Sequence, residues 1–397
     1  MNKNLSNRAP GPQSTILSKG FISIFVTSIA YNLGIFMSNS ILPLYADSLG
    51  FGSAEIGIMM STYAITCILF RFVSAPVMDA YNRKYVVFFS TLIASVSFFG
   101  YSISGNYASL LLFRLVQGGG MAFGNACCLA IVSDIIPKEK FSSVIGYFTL
   151  AQVLAQAFGP AIGLFIAGFT SHKGTLIASV CIMLVATILT TQLKTEKPER
   201  KGPLKITFNN IFAREAWLPT FYMFIVGLGV GVVPSFLVLF AGTRGVTSNI
   251  GLYFTISAIT TLLSRPLVGR LTDKYGYVRM IIPTFILGFA AFVIIGLSAS
   301  LWSFLLAAFI SAFGTGACQP LFISLSMKSV AKERRGVASS TIFIGFDTGF
   351  MAGPVVAGGI IESLGYVPMW FIFSGILLIA APVTLIFRKT IVKTENS

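Results

Sequence analysis

The chain has 397 residues and a formal net charge of +15, yet only 10% of its residues are charged while 55% are hydrophobic. A soluble domain carries roughly 25% charged residues, so this composition describes a membrane chain and leaves no room for a large soluble domain. The length accommodates about twelve helical spans of about 20 apolar residues with short connections.

A polar N-terminus, residues 1–19, precedes an apolar run too long for the hydrophobic region of a cleavable signal, which predicts a retained first span at 20–45. Spans 2 to 6 are expected at 54–75, 84–104, 108–133, 142–168 and 174–193. A charged stretch from Lys194 to Arg214, containing Lys197, Pro198, Glu199, Arg200, Lys201, Gly202 and Pro203, cannot continue a helix and reads as a linker. Spans 7 to 12 follow at 216–241, 249–270, 279–299, 302–327, 337–361 and 368–387. The expected organisation is a six-helix bundle over 1–193, a cytoplasmic linker over 194–214 and a second six-helix bundle over 215–397.

With alternating spans, Lys173 and Arg244 fall on one side and Arg71, Arg114 and Arg265 within spans. The remaining basic residues collect in loops, tails and span ends on the other side, and the positive-inside rule places that side, with both termini, in the cytoplasm. The charge is then topological, with attraction to anionic lipid headgroups as a by-product, and nucleic acid is not the expected partner. Cys67, Cys127, Cys128, Cys181 and Cys318 lie in apolar segments without metal-ligand spacing. The single histidine, His172, sits in a short external loop beside Lys173, and no metal site is expected.

An internal repeat organises the chain. Arg71 precedes Asp79 by eight positions and Arg265 precedes Asp273 by eight, at an offset of 194 residues. Gly57 and Gly251, Tyr81 and Tyr275, Lys138-Glu139 and Lys332-Glu333, and Gly159-Pro160 and Gly353-Pro354 share that offset. A parallel repeat of this length in an apolar chain implies two homologous bundles with a binding site at their interface. The predicted fold class is an all-α membrane protein with twelve transmembrane helices in two six-helix bundles.

The segment from Asp79 through Asn82 to Arg83 and Lys84 pairs an acid at a helix end with a tight turn and basic residues opening the next span. Its counterpart carries Asp273, Lys274, Gly276 and Arg279. Asn and Gly tolerate positive φ at such a turn. The charges read as a latch at the cytoplasmic end.

These residues resemble the major facilitator superfamily, whose signature after helix 2 is Gly-x-x-x-Asp-(Arg/Lys)-x-Gly-x-(Arg/Lys)-(Arg/Lys), weakly repeated after helix 8. Gly269, Asp273, Lys274 and Gly276 match it well, whereas Ala75, Ala80 and Asn82 depart from it in the first copy. Arg114-Leu115-Val116-Gln117-Gly118 is similar to the family's proton-coupling signature on helix 4, and Gly159-Pro160-Ala161-Ile162-Gly163 to the exporter signature on helix 5. Together they resemble the twelve-helix drug:proton antiporter-like branch, although Leu164 replaces a glycine often found there.

The resemblance implies a cavity lined by helices 1, 4, 7 and 10, helices 2 and 11 as neighbours, and function as a monomer. Asn32, Phe36 and Asn39 share one face of span 1, and Arg114, Gln117 and Met121 share one face of span 4. These, with Gln319, are expected to line the cavity. Asp347, about 15 Å into span 11, and Arg71, about 12 Å inward on span 2, lie at similar depth by helical rise and form a candidate proton-coupling pair, with Arg114 as a further coupling residue. Arg265 has no evident intramembrane acid, leaving backbone carbonyls, Gln152, Gln156 or an anionic substrate as partners.

No Walker-type loop is present, so no cofactor is expected and energy should come from a proton gradient. The expectation is a bacterial inner-membrane secondary exporter of a small amphipathic or anionic molecule. Drugs, carboxylate siderophores, sugars, amino acids and lipids remain open as cargo, and uptake by symport as the rarer direction.

Overall fold

The computed structural model describes residues 19–135, 141–193, 213–330 and 335–395. They form α-helices α1 (Lys19–Ser48), α2 (Ser53–Ala80), α3 (Arg83–Ile103), α4 (Tyr107–Ile135), α5 (Phe141–Phe169) and α6 (His172–Thr191). After a short 3-10 turn at Arg214–Ala216 come α7 (Trp217–Thr243), α8 (Leu252–Tyr275), α9 (Tyr277–Leu297) and α10 (Leu301–Lys328), then α11 (Arg335–Leu364), α12 (Tyr366–Ile386) and α13 (Arg388–Glu395). Among the described residues, eleven helices are long and apolar enough to cross a membrane. The exception is α8, 24 residues long but burdened by Arg265, Arg270, Asp273 and Lys274. The linker expected at 194–214 falls mostly outside the described residues.

Apolar burial drives helix association little in lipid, so close backbone contact must do it. The α7–α11 seam shows how. A Cβ on Gly227 would strike the Phe346 carbonyl, one on Gly349 the Phe224 carbonyl, and one on Gly353 the Leu228 carbonyl. Small residues at these positions let the two backbones touch along their length. The seam has its repeat counterpart between α1 and α5, where Gly159 packs on Phe36 and Gly163 on Met37 and Ser40.

The expectation of an uninterrupted span 10 is corrected. α10 is broken by a π turn at Ala312–Gly316. Gly314 lies against the backbone of Gly288, Gly316 against Thr261, and the Ser264 hydroxyl donates to the Ala312 carbonyl at 3.1 Å. Two glycines and an outside donor thus accommodate the widened turn. Asn82 is also corrected: its φ is −62°, and its side chain caps α3 by accepting from the Lys84 amide at 3.0 Å. Gly276 does need its residue type, with φ +84°. Sequence periodicity did not anticipate α13, a short helix that buries Ile391 and leaves Arg388, Lys389 and Lys393 exposed.

Substituting Gly349→Val inserts atoms where the Phe224 carbonyl already lies. Overpacking of this kind costs about 1–3 kcal/mol. The variant should melt at lower temperature and give less monodisperse protein in detergent, whereas wild-type melting would contradict the seam.

Candidate functional site

Arg114, two turns into α4, is completely buried. Its Nη1 donates to Asn39 Oδ1 of α1 at 2.9 Å and to Gln117 Oε1 at 2.8 Å, and its Nη2 meets Met60 Sδ of α2 at 2.6 Å. The guanidinium lies 5.2 Å from the Tyr63 ring centroid and 5.8 Å from that of Tyr101. Tyr101 also donates to Gln117 Oε1 at 2.6 Å. Every one of these partners is neutral. The helix-4 signature therefore builds a cation cradle from α1, α2, α3 and α4. α4 can approach this closely because Gly118 sits on the Tyr63 carbonyl.

The expected cavity residues separate into two layers. Arg114, Gln117 and Asn32 are buried, so in this state they stand behind the wall, because Asn39 and Tyr63, both half-buried, cover the guanidinium. Phe36 is half-buried and packs on Gly159, and Met121 is half-buried against the core. Gln152 and Gln156 are exposed on the face of α5 opposite the exposed apolar row Leu154, Phe158, Ile162 and Phe165. An apolar row of that kind suits lipid. In the other half Arg265 is half-buried and donates from Nη2 to Gln319 Oε1 at 3.3 Å, with no carboxylate partner among the described residues.

Sequence reasoning missed Asn125, which accepts from Asn32 Nδ2 at 3.2 Å and is exposed. Its position continues the Arg114, Gln117, Met121 row by one turn, a signal that was available. Met60, Tyr63 and Tyr101 were also missed, since a Met or Tyr in an apolar span carries no distinguishing pattern.

The two halves meet at the end opposite Lys19 and Glu395, called the outer end here because the positive-inside expectation puts the termini on the inner side. Gly57 of α2 lies against the Pro354 carbonyl of α11, and Gly358 of α11 against the Ser53 carbonyl. By the repeat, α8 and α5 do the same. A Cβ on Gly251 would lie 2.7 Å from Ala161 Cα, and Thr255 Oγ1 donates to the Ala157 carbonyl at 2.6 Å. The glycines at offset 194 thus touch the Gly-Pro elements at the same offset, each across the interface.

At the other end, Arg83 donates to the Ala130 carbonyl at 3.3 Å, and Lys84 donates to the Thr191 carbonyl. Both ties lie within the first half. Asp273, Lys274 and Arg279 are exposed, with Lys274 over the neighbouring Tyr275 ring at 5.1 Å. The side chains of Asp79 and Arg71 lie outside the described residues. Asp347 is half-buried on α11. α2 and α11 run antiparallel, with Gly57 beside Pro354 and Tyr63 beside Phe350 at 6.3 Å between ring centroids. In that register Arg71 lies about six residues, or about 9 Å of helix, toward the inner end from Asp347.

Two like bundles of long apolar helices that touch at one end have the architecture of a polytopic membrane transporter. The profile of the Major Facilitator Superfamily matches residues 24–248 and 219–397. The chain belongs to that family. It is 24% identical over 94% of its length to an uncharacterised MFS-type transporter of Methanocaldococcus jannaschii, covering 98% of that protein. It is also 24% identical to the multi-drug resistance efflux pump PmrA of Streptococcus pneumoniae, over 89% of this chain and 92% of the pump. The fold matches a crystal structure of the peptide transporter POT in complex with sulfate at a TM-score of 0.81, with 14% identity and 95% of each chain covered. Multidrug efflux pumps among the relatives agree with the antiporter-like branch read from the helix signatures.

Gly57→Val should hold the outer α2–α11 seam apart. A cysteine placed at the outer end of α7 should then label faster with a membrane-impermeant maleimide, and Thr255→Val should do the same more weakly. Labelling no faster than in the parent would contradict the seam's role in closure.

Proposed function

We propose that this transporter exports a small amphipathic or anionic organic molecule from the bacterial cytoplasm in exchange for protons, as a monomer with both termini inside. Two bundles, 1–193 and 215–397 joined by the linker 194–214, rock about the interior site so that it faces each side in turn. The observation that carries the anionic reading is Arg265, a guanidinium at membrane depth whose hydrogen-bond partner among the described residues is a neutral amide, Gln319. A cation so placed is costly unless wetted or paired, and cargo bearing a carboxylate or phosphate would pair it. Gln152, Gln156 and Asn125 on the facing half supply neutral donors and acceptors for the rest of such a molecule.

The direction is supported by the exporter signature around Gly159-Pro160 and by the efflux pump among the relatives. Contact between the halves at the outer end supports loading from the inner side. The charges at the inner end, Asp79, Arg83 and Lys84 with Asp273, Lys274 and Arg279, would come together when the outer end opens. Asp347 is the coupling acid in this reading, with Arg71 as the cation that pairs with it and releases it when a proton arrives. Arg114, held by neutral partners, is the further coupling residue of this reading.

In sealed vesicles, Arg265→Gln should weaken transport of anionic cargo at least tenfold more than that of neutral cargo, the order of one lost charge-assisted bond. Equal losses would remove the anionic reading. Asp347→Asn should abolish proton-driven transport while leaving cargo counterflow, and undiminished proton-driven transport by folded variant would remove Asp347 as the coupling acid.

A further inference from the structure

The Arg114 cradle leaves one edge of its guanidinium unused. Nη1 is engaged by Asn39 and Gln117, but Nε, although wholly buried, has no hydrogen-bond partner among the described residues. Nη2, which shares an edge with Nε, meets only the thioether of Met60 at 2.6 Å, and a thioether is a weak acceptor. A second buried donor in the same network, Gln117 Nε2, is also without a partner among the described residues, while the amide oxygen of Gln117 accepts from Arg114 and Tyr101. No carboxylate accompanies this arginine among the described residues, and every contact it makes is to a neutral group.

The Nε–Nη2 edge of an arginine is a planar two-donor fork that matches a carboxylate. A buried cation held only by neutral dipoles is stabilised further by any anion that reaches it, since desolvation magnifies the attraction. Met60 is the partner most readily displaced, being flexible and weakly bonded. Asn39 and Tyr63, half-buried between Arg114 and the interior, stand on the route.

We propose that the Nε–Nη2 edge of Arg114 is a binding site for a small monovalent anion of carboxylate or halide size, which displaces Met60 Sδ. This ligand is either a free anion or the carboxylate of a larger organic acid. The site is distinct from Arg265 in the opposite half, and its occupation requires neither a proton gradient nor a particular direction of transport. A failure here would therefore leave the exporter reading standing, and the reverse also holds.

The test is the melting temperature of purified protein in detergent, titrated with formate, chloride or benzoate against gluconate at constant ionic strength. Saturable stabilisation by formate or chloride supports the site as one for free anions. Stabilisation by benzoate alone supports it as the seat of a larger acid's carboxylate. Gln117→Glu places a carboxylate on Arg114 from within, so it should melt higher without added anion and lose the response. Met60→Leu removes the competing thioether and should lower the half-saturating concentration about threefold. No saturable response by wild-type protein, an undiminished response in folded Gln117→Glu, or an unchanged half-saturation in Met60→Leu would each overturn the proposal.

Discussion

Backbone touching backbone at glycine is the constraint on which this structure depends. In lipid a helix gains little by hiding apolar side chains from tails that are equally apolar, so stable contact requires close approach and dispersion along the seam. Within the second half that requirement is met by Gly227, Gly349 and Gly353 between α7 and α11. Between the halves it is met by Gly57 on Pro354 and Gly251 against Ala161. The second pair differs in kind, since a seam between rigid bodies can open without unfolding either. Smooth surfaces with few hydrogen bonds suit a joint that must part and re-form. Thr255 to the Ala157 carbonyl is a modest bond across that seam.

Charge is handled differently in the two halves, although the backbones repeat. Arg114 is fully enclosed by Asn39, Gln117, Met60 and two tyrosine rings. At the offset of 194 its counterpart is Ala308, so the second half has no such cradle. Arg265 instead leans on Gln319 at the edge of the interior, beside the π turn that interrupts α10. The symmetric part of the molecule is the scaffold, and the asymmetric part is where the polar chemistry sits. Valine at position 153, the counterpart of Asp347, belongs to the same pattern.

Most of the fold was legible because span length and hydropathy are set by the bilayer, and because the repeat fixed the register of both halves. Helix ends moved by a few residues, and α8 is charged enough that its span was visible mainly through its counterpart α2. The π turn in α10 was not legible, since Ala312–Gly316 reads as ordinary helix with glycines, and the widening follows from Gly288 and Ser264 on other helices. The site was legible in part. Signature spacing pointed to Arg114 and Gln117, but only tertiary packing decided that they lie behind Asn39 and Tyr63 rather than on the wall. The role given to Asn82 failed for a local reason, because an Asn before a helix can cap it with ordinary φ as readily as turn the chain.

The central proposal is that the α2–α11 and α5–α8 seams open at the outer end as the inner end closes, under the control of Asp347. The most direct measurement is the distance distribution between spin labels on the outer ends of α2 and α11, and in a second sample on their inner ends, in lipid nanodiscs as pH is lowered. The account predicts two populations that exchange in opposite senses at the two ends, with Asp347→Asn fixed in the low-pH distribution at every pH. Distributions that do not change with pH, or that change identically in Asp347→Asn, would contradict it.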